Sequence, residues 1–279
     1  MAEQNLIGNV ADVTGVPPLS GADTSAERPT PARHAFFVTG TDTEIGKTLV
    51  SSALLHAAAR RGLVCAGLKS VAAGASEDNG RFVNEDVEQL HQASNLKLPH
   101  DWYCPYVLKD ATAPHIAAAA EGVALDCDVI RAGYARVAAR ADLVIVEGVG
   151  GFRVPLGPDA SAPDTADLAR QLGLPVILVV GLRLGCINHA LLTAEAIVSR
   201  GLTLAGWVAN HVDPQMRHVD ANVDAIAARL GAPLLGRVPH LAHPDAATAS
   251  GYLDIGPLVD TVRHRAANTP LAARPPTSA

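Results

Sequence analysis

Residues 38–48 read VTGTDTEIGKT, directly after the apolar run AFFVT at 35–39. A strand, a glycine turn and then a helix is the setting in which main-chain N–H groups and a helix dipole face an anion. Gly40 to Thr48 is therefore read as a phosphate-binding loop. Lys47 would reach the terminal phosphates of a nucleoside triphosphate and the Thr48 hydroxyl would bind magnesium. Five residues rather than the usual four separate Gly40 from Gly46. Downstream, Ile45, Leu49, Ala53 and Ala57 recur every four residues and Gly62 follows as a stop, so the spacing predicts a helix over 46–61.

Working outward, further β-rich runs stand at 63–69 (LVCAGLK), 142–147 (DLVIVE), 175–180 (PVILVV), 202–210 (LTLAGWVAN) and 233–238 (PLLGRV). Continuous apolar runs of this length suit strands covered on both faces. Ile187, Leu191, Ala194 and Val198 repeat the helical spacing and Gly201 closes it. Strand, helix, strand in succession implies right-handed crossovers. The fold class expected is α/β: a mainly parallel sheet with helices on both faces, in a single domain. The interval from Gly74 to Arg140 is less regular, with a polar loop (GASEDNGR), a helix capped by Asn84 through about Leu90, a YCPYVLKD segment and two further helices. Its place beside the carboxyl ends of the strands suits a substrate pocket.

Of 279 residues, 48% are hydrophobic and 18% charged, enough apolar material for one core. Residues 1–33 lack apolar periodicity and are expected to form a disordered tail, as is the stretch 269–279, leaving one domain at 34–268. The opening residues do not read as a secretory signal and no run approaches a bilayer's thickness, so a soluble, cytoplasmic protein is expected. Cys65, Cys104, Cys127 and Cys186 lack CxxC spacing and read as buried thiols. A net charge of −6 without a basic cluster disfavours nucleic acid and anionic membranes as partners.

Magnesium takes oxygen ligands, so carboxylates must join Thr48. Glu147, closing the run LVIV ahead of GVGG, is expected at the carboxyl end of a core strand, within reach of a metal. Asp86, in NEDVEQL, is a weaker candidate from spacing alone, which favours a dipole-stabilising acid in a first helical turn. Lys69 ends the second strand, where a cation would neutralise a transferring phosphoryl group or simply meet solvent. Asn210 ends WVAN and would hydrogen-bond a base edge. With Asp213 it also has the spacing of a guanine-reading motif, although His211 stands where that motif has lysine.

FVTGTDTEIGKT, GLKSVAAG, TAPHIAAA, VEGVGG, PVILVVGLRLGCINHALLT and GLTLAGWVAN together resemble the dethiobiotin synthetases, ATP-dependent ring-closing ligases of biotin biosynthesis with a P-loop NTPase-like fold. The resemblance spans residues 34 to 255 and includes the five-residue loop spacing. It implies 7,8-diaminopelargonate, CO2 or bicarbonate, and ATP with Mg2+ as reactants, and a homodimer whose interface completes the substrate site. Carried over by motif, Thr43, Lys47 and Lys69 surround a substrate carbamate and the γ-phosphate. Glu44, Ile45, Gly46, Lys47 and Thr48 line the ATP site with Asp86, Glu147, Asn210 and Pro239. Thr48, Asp86 and Glu147 hold the metal. Ala73, Gly150 and, across the dimer, Asn188 join Thr43 and Lys69 on the substrate, with residues 148–151 as a tight loop.

Two segments depart from the family's pattern. Residues 70–74 read Ser-Val-Ala-Ala-Gly where the family commonly has Pro-Val-Ala-Ser-Gly, and Ala113 replaces a serine. Each loses a hydroxyl, and activity is expected to survive because both lysines and the three metal ligands remain. Three rivals share parts of the pattern. A partition or regulatory ATPase would resemble KGGxGKT at the loop, where Thr41, Asp42 and Thr43 stand here. The others are a GTPase using Asn210 and Asp213, and an amide-forming synthetase acting on another diamine or acid.

Overall fold

The computed structural model describes residues 32–260. The expected tails, 1–33 and 269–279, lie almost wholly or wholly outside them. In chain order, β1 (His34–Gly40) leads through the glycine loop to α1 (Lys47–Arg60) and β2 (Cys65–Lys69). Short strands β3 (Ala72–Ala73), β4 (Ser76–Asp78) and β5 (Arg81–Val83) follow, then α2 (Glu85–Ala93). Next come β6 (Val107–Leu108), α3 (Pro114–Ala120) and α4 (Cys127–Ala138). The second half alternates strictly: β7 (Leu143–Gly151), α5 (Thr165–Leu172), β8 (Val176–Gly181), α6 (Cys186–Ser199), β9 (Leu204–Asn210), α7 (Val219–Leu230) and β10 (Leu234–Val238). Two single-turn helices, α8 (Ala246–Ala249) and α9 (Gly256–Val259), close the described chain.

Six strands form one parallel sheet in the order β10-β9-β8-β1-β7-β2. Because side chains alternate along a strand, Phe36 and Val38 of β1 pack with α1 on one face while Phe37 packs on the other with residues of α3, α4 and α5. Toward the β9 side, Leu178, Val180 and Trp207 meet α6 and α7. Both faces are covered, which explains the unbroken apolar runs. The expected fold class is the one observed.

Helix ends follow local chemistry. Asn84 accepts hydrogen bonds from the N–H groups of Asp86 and Val87 at the start of α2. Asp164 and Asp167 form a reciprocal capping box at α5, and Gly173 ends it in a left-handed conformation. Three expectations need correction. The polar stretch read as a loop contains the β4–β5 hairpin, whose three-residue strands are too short and too polar to show alternation. Helix α2 runs on to Ala93. Strand β7 does not end at Glu147 but continues through Gly151, so residues 148–151 extend the strand instead of forming a tight loop. Glycine reads as a loop signal, yet here β1 lies alongside and Gly40 pairs with Gly151.

Candidate functional site

Gly46 at the head of α1 takes φ +80 and Glu44 takes φ +57, so the chain turns left-handed on either side of Ile45. The Ile45 side chain is buried in a slot that exists because two neighbours lack Cβ atoms. A Cβ on Gly40 would come within 2.7 Å of Ile45 Cδ1, and one on Gly181 within 2.5 Å of Ile45 Cγ2. Thr41 N–H donates to the Val179 carbonyl at 3.0 Å, and Asp42 pairs with Arg183 beyond β8. The loop is thus held by the ends of β8 and β9 as well as by its own turn. Lys47, 7% exposed, donates to the Asp42 carbonyl at 2.9 Å and finds no carboxylate within hydrogen-bonding distance. Burial lowers its pKa to about 8.

The second half of the site lies across β1, β7 and β2. Their register sets Glu147 beside Val38 on one flank and beside Lys69 on the other. Lys69 Nζ donates to Glu147 Oε1 and to Asp86 Oδ2, both at 2.6 Å, while the Thr48 hydroxyl donates to the same Glu147 Oε1 at 2.8 Å. For the Lys69 ammonium, burial acts to lower the pKa, but the charges of Glu147 and Asp86 outweigh it and raise it. Asp86 is the mirror case: burial acts upward, and Lys69 overrides it to hold the carboxyl below its ordinary range. Asp86 is delivered by the Asn84 cap, whose amide also donates to the carbonyl of Ala73 at 3.2 Å. One side chain therefore ties α2 to β3.

Glu147 is fully buried, and its Oε2 has no hydrogen-bond partner among the described residues. A buried, unpartnered carboxylate oxygen is costly unless a ligand satisfies it. With the Thr48 hydroxyl and the Asp86 carboxylate nearby, the oxygen donors suit a hard divalent cation. Among the described residues no three His, Cys, Asp or Glu side chains gather to hold a metal by themselves.

These groups border a cavity of about 870 Å³. The sequence-predicted residues Thr43, Glu44, Gly46, Lys47, Thr48 and Lys69 line it, as do Ala73, Asp86 and Gly150. Gly150, at φ +62, brings its backbone close to Thr43: a Cβ there would stand 3.6 Å from the Thr43 hydroxyl and 3.0 Å from Val154. Ile45 and Glu147 sit behind the wall. Asn210, Pro239 and Asn188 do not line this cavity. The Asn210 side chain, expected at a base edge, donates through Nδ2 to the Ile45 carbonyl at 2.8 Å. Asn188 is exposed on α6.

Sequence reading missed Glu85, Gln89, Thr112, Val154 and Pro244, which also line the cavity. The first two were within reach: once Asn84 caps α2, residues 85, 86 and 89 share a face, and Gln89 donates to Glu85 at 3.1 Å. The others come from loops whose approach no local pattern encodes.

Residues 34–248 match a family model described as an AAA domain. The chain is 59% identical over 220 residues to the ATP-dependent dethiobiotin synthetase BioD of Aromatoleum aromaticum, covering 79% of this chain and 96% of that protein. Among solved structures, a ParA family ATPase from Chlorobium tepidum TLS aligns at 13% identity and a TM-score of 0.47, covering 85% of this chain and all of the other. The septum site-determining protein MinD from Pyrococcus horikoshii OT3, complexed with Mg-ADP, aligns at 15% identity and 0.47, covering 83% and 97%.

Proposed function

Because this chain belongs to the ATP-dependent dethiobiotin synthetases, an ATP-dependent ligase family of biotin biosynthesis, we propose that it makes dethiobiotin by a route in which Lys47 and Lys69 flank the reacting phosphoryl group. The observation that carries this reading is the meeting of Lys47, Thr48, Lys69 and Asp86 at one cavity, with Glu147 behind its wall bonded to Lys69 and Thr48, all drawn from the glycine loop and the head of α1, two parallel strands and a separate helix.

One amine of 7,8-diaminopelargonate adds to carbon dioxide, forming a nitrogen–carbon bond and losing a proton to give a carbamate. A carbamate oxygen then attacks the γ-phosphorus of ATP, and ADP leaves. The second amine attacks the carbonyl carbon of the resulting mixed anhydride and gives up a proton, the carbon–oxygen bond to phosphate breaks, phosphate leaves, and the cyclic urea remains. No protein nucleophile takes part. The protein holds carbamate and γ-phosphate in line and stabilises the charge that spreads between them.

Thr43 and Lys69 face the carbamate, and Lys47 faces the terminal phosphates. Thr48, Asp86 and Glu147 would hold Mg2+, which would neutralise phosphate charge there. The Glu147 oxygen without a partner supports that assignment. Around the substrate, Ala73 and Ala113 offer no hydroxyl, but Gln89 and Thr112 border the same cavity and supply polar groups there. Asn188 meets the substrate carboxylate from a second copy of the chain. Leu184, 95% exposed, with Leu192 and Val198 on α6, gives such a copy an apolar surface to cover. Asn210 and Pro239 serve the adenine side. Four buried cysteines without a disulfide support a reducing, cytoplasmic setting. No helix among the described residues is long and apolar enough to cross a membrane.

The test is phosphate release from ATP, magnesium and bicarbonate with and without 7,8-diaminopelargonate, with mass analysis of the product. Diamine-dependent release and a cyclic urea are expected. Release indifferent to the diamine, with no cyclic urea, overturns the substrate assignment and leaves an amide-forming relative in its place. Preference for GTP over ATP would remove the adenine assignment.

A further inference from the structure

Left-handed backbone at a non-glycine residue costs roughly 1–2 kcal/mol, a cost that falls on Glu44, while Gly46 takes the same region freely on the other side of Ile45. Something outside the loop must hold that peptide. The Ile45 side chain is keyed between Gly40 and Gly181, but its carbonyl is held by a different group: Asn210 Nδ2, 165 positions away, at 2.8 Å. The fit is close on the neighbouring residue too, since a Cβ on Gly46 would land on Asn210 Nδ2. Asn210 is itself immobilised. It is 4% exposed, its carbonyl accepts from Leu182 N–H at 2.7 Å, and its backbone is in register with Gly181 on one side and Val238 on the other. Among the described residues no hydrogen bond reaches its Oδ1.

We propose that Asn210 is a positioning residue for the phosphate loop: its amide donor sets the Ile45 carbonyl and thereby the orientation of the N–H groups and Lys47 that receive the triphosphate. Oδ1 remains to accept from a ligand, so one amide joins the phosphate side of the site to the end of β9. The proposal rests on the reading of Gly40 to Thr48 as the triphosphate loop and extends it to a residue whose role had been confined to the base.

The experiment uses the full chain and a ligand with no base or ribose. Magnesium tripolyphosphate is titrated as a competitor of a fluorescent ATP analogue, against wild type, Asn210→Ala and Asn210→Asp. The expected result is a loss of tripolyphosphate affinity of about tenfold in Asn210→Ala, the scale of one buried hydrogen bond. A loss at least as large is expected in Asn210→Asp, where an acceptor replaces the donor facing the Ile45 carbonyl. With ATP, kcat should fall along with affinity, because a displaced loop misaligns the γ-phosphate, whereas loss of a base contact alone raises KM and leaves kcat unchanged. Wild-type tripolyphosphate affinity in both variants, with only KM for ATP raised, overturns the proposal while leaving the loop reading intact. Failure of tripolyphosphate to compete even in wild type removes the loop reading and the proposal together. If Asn210→Ala does not fold, the Asn210→Asp arm decides.

Discussion

Lys47 and Lys69 are buried to similar depth, 7% and 3% exposed, yet their ammonium groups are pushed in opposite directions. Around Lys47 the protein offers one main-chain carbonyl, and burial brings the pKa down to about 8. Around Lys69 it offers two carboxylates at 2.6 Å, which outweigh burial. Depth alone therefore does not set the charge of a buried cation; the partner does. Lys47 has no carboxylate within ion-pairing distance among the described residues, and the more distant charge of Glu147 does not offset its burial. Lys69 is already balanced, and its position is defined before any ligand binds.

The largest effect that would break this comparison is kinetic. Lys69→Ala is expected to keep ATP binding and lose most turnover, by roughly 10²–10³-fold, the scale of removing one transition-state charge contact. Lys47→Ala should lose ATP affinity as well. Steady-state kinetics beside equilibrium nucleotide binding separate the two, and near-normal turnover in Lys69→Ala would take it out of the catalytic set.

Folding stability without nucleotide gives the next largest difference. Lys69→Met leaves Glu147 buried and uncompensated and should lower stability by about 3–5 kcal/mol in denaturant unfolding. Lys47→Met removes an ammonium with no carboxylate partner and should change stability by less than about 1 kcal/mol, or raise it. Equal losses in the two variants would contradict the asymmetry.

The smallest effect concerns Asp86, whose side chain is 40% exposed, so screening limits its share to less than about 1 kcal/mol. Its folded pKa lies below the ordinary carboxylate value. Its contribution is thus present above the unfolded pKa and lost as pH falls through the folded one. The stability gap between wild type and Asp86→Asn should close on acidification. A gap that widened toward acid would reverse the sign assigned to the Lys69 pair.

The difference between these two lysines also marks where sequence reading stops. Lys47 is legible because its neighbours in the chain, Gly46 and Thr48, carry its meaning. Lys69 and Glu147 were legible as strand-end charges, since a charge after an apolar run is a local signal. Their mutual contact was not, because it depends on β2 and β7 being adjacent and in register. The Asn84 cap was legible too, but spacing favours a plain dipole acid at Asp86, because its contact with Lys69 depends on Asn84 also tying α2 to Ala73. The Asn210–Ile45 bond joins residues that no spacing rule relates. Glycine misled at 148–151, where a strand continues through residues that favour turns elsewhere. The β4–β5 hairpin and the cavity residues Val154 and Pro244 left no periodic trace at all.

The ladder that sets Lys69 beside Glu147 and Glu147 beside Val38 has a consequence for how such a site changes over time. Adjacent strands are held about 4.8 Å apart by main-chain hydrogen bonds, and substitutions on helices and loops do not alter that interval. Ala73, Gln89 and Thr112 ride on the irregular segment between β2 and β7, outside the six-stranded ladder. Asp86 rides on the same segment, in α2, so only single substitutions at those three positions reshape the cavity wall while the Lys69 contacts to Asp86 and Glu147 stay as they are. The wall and the paired charges behind it can then change one at a time.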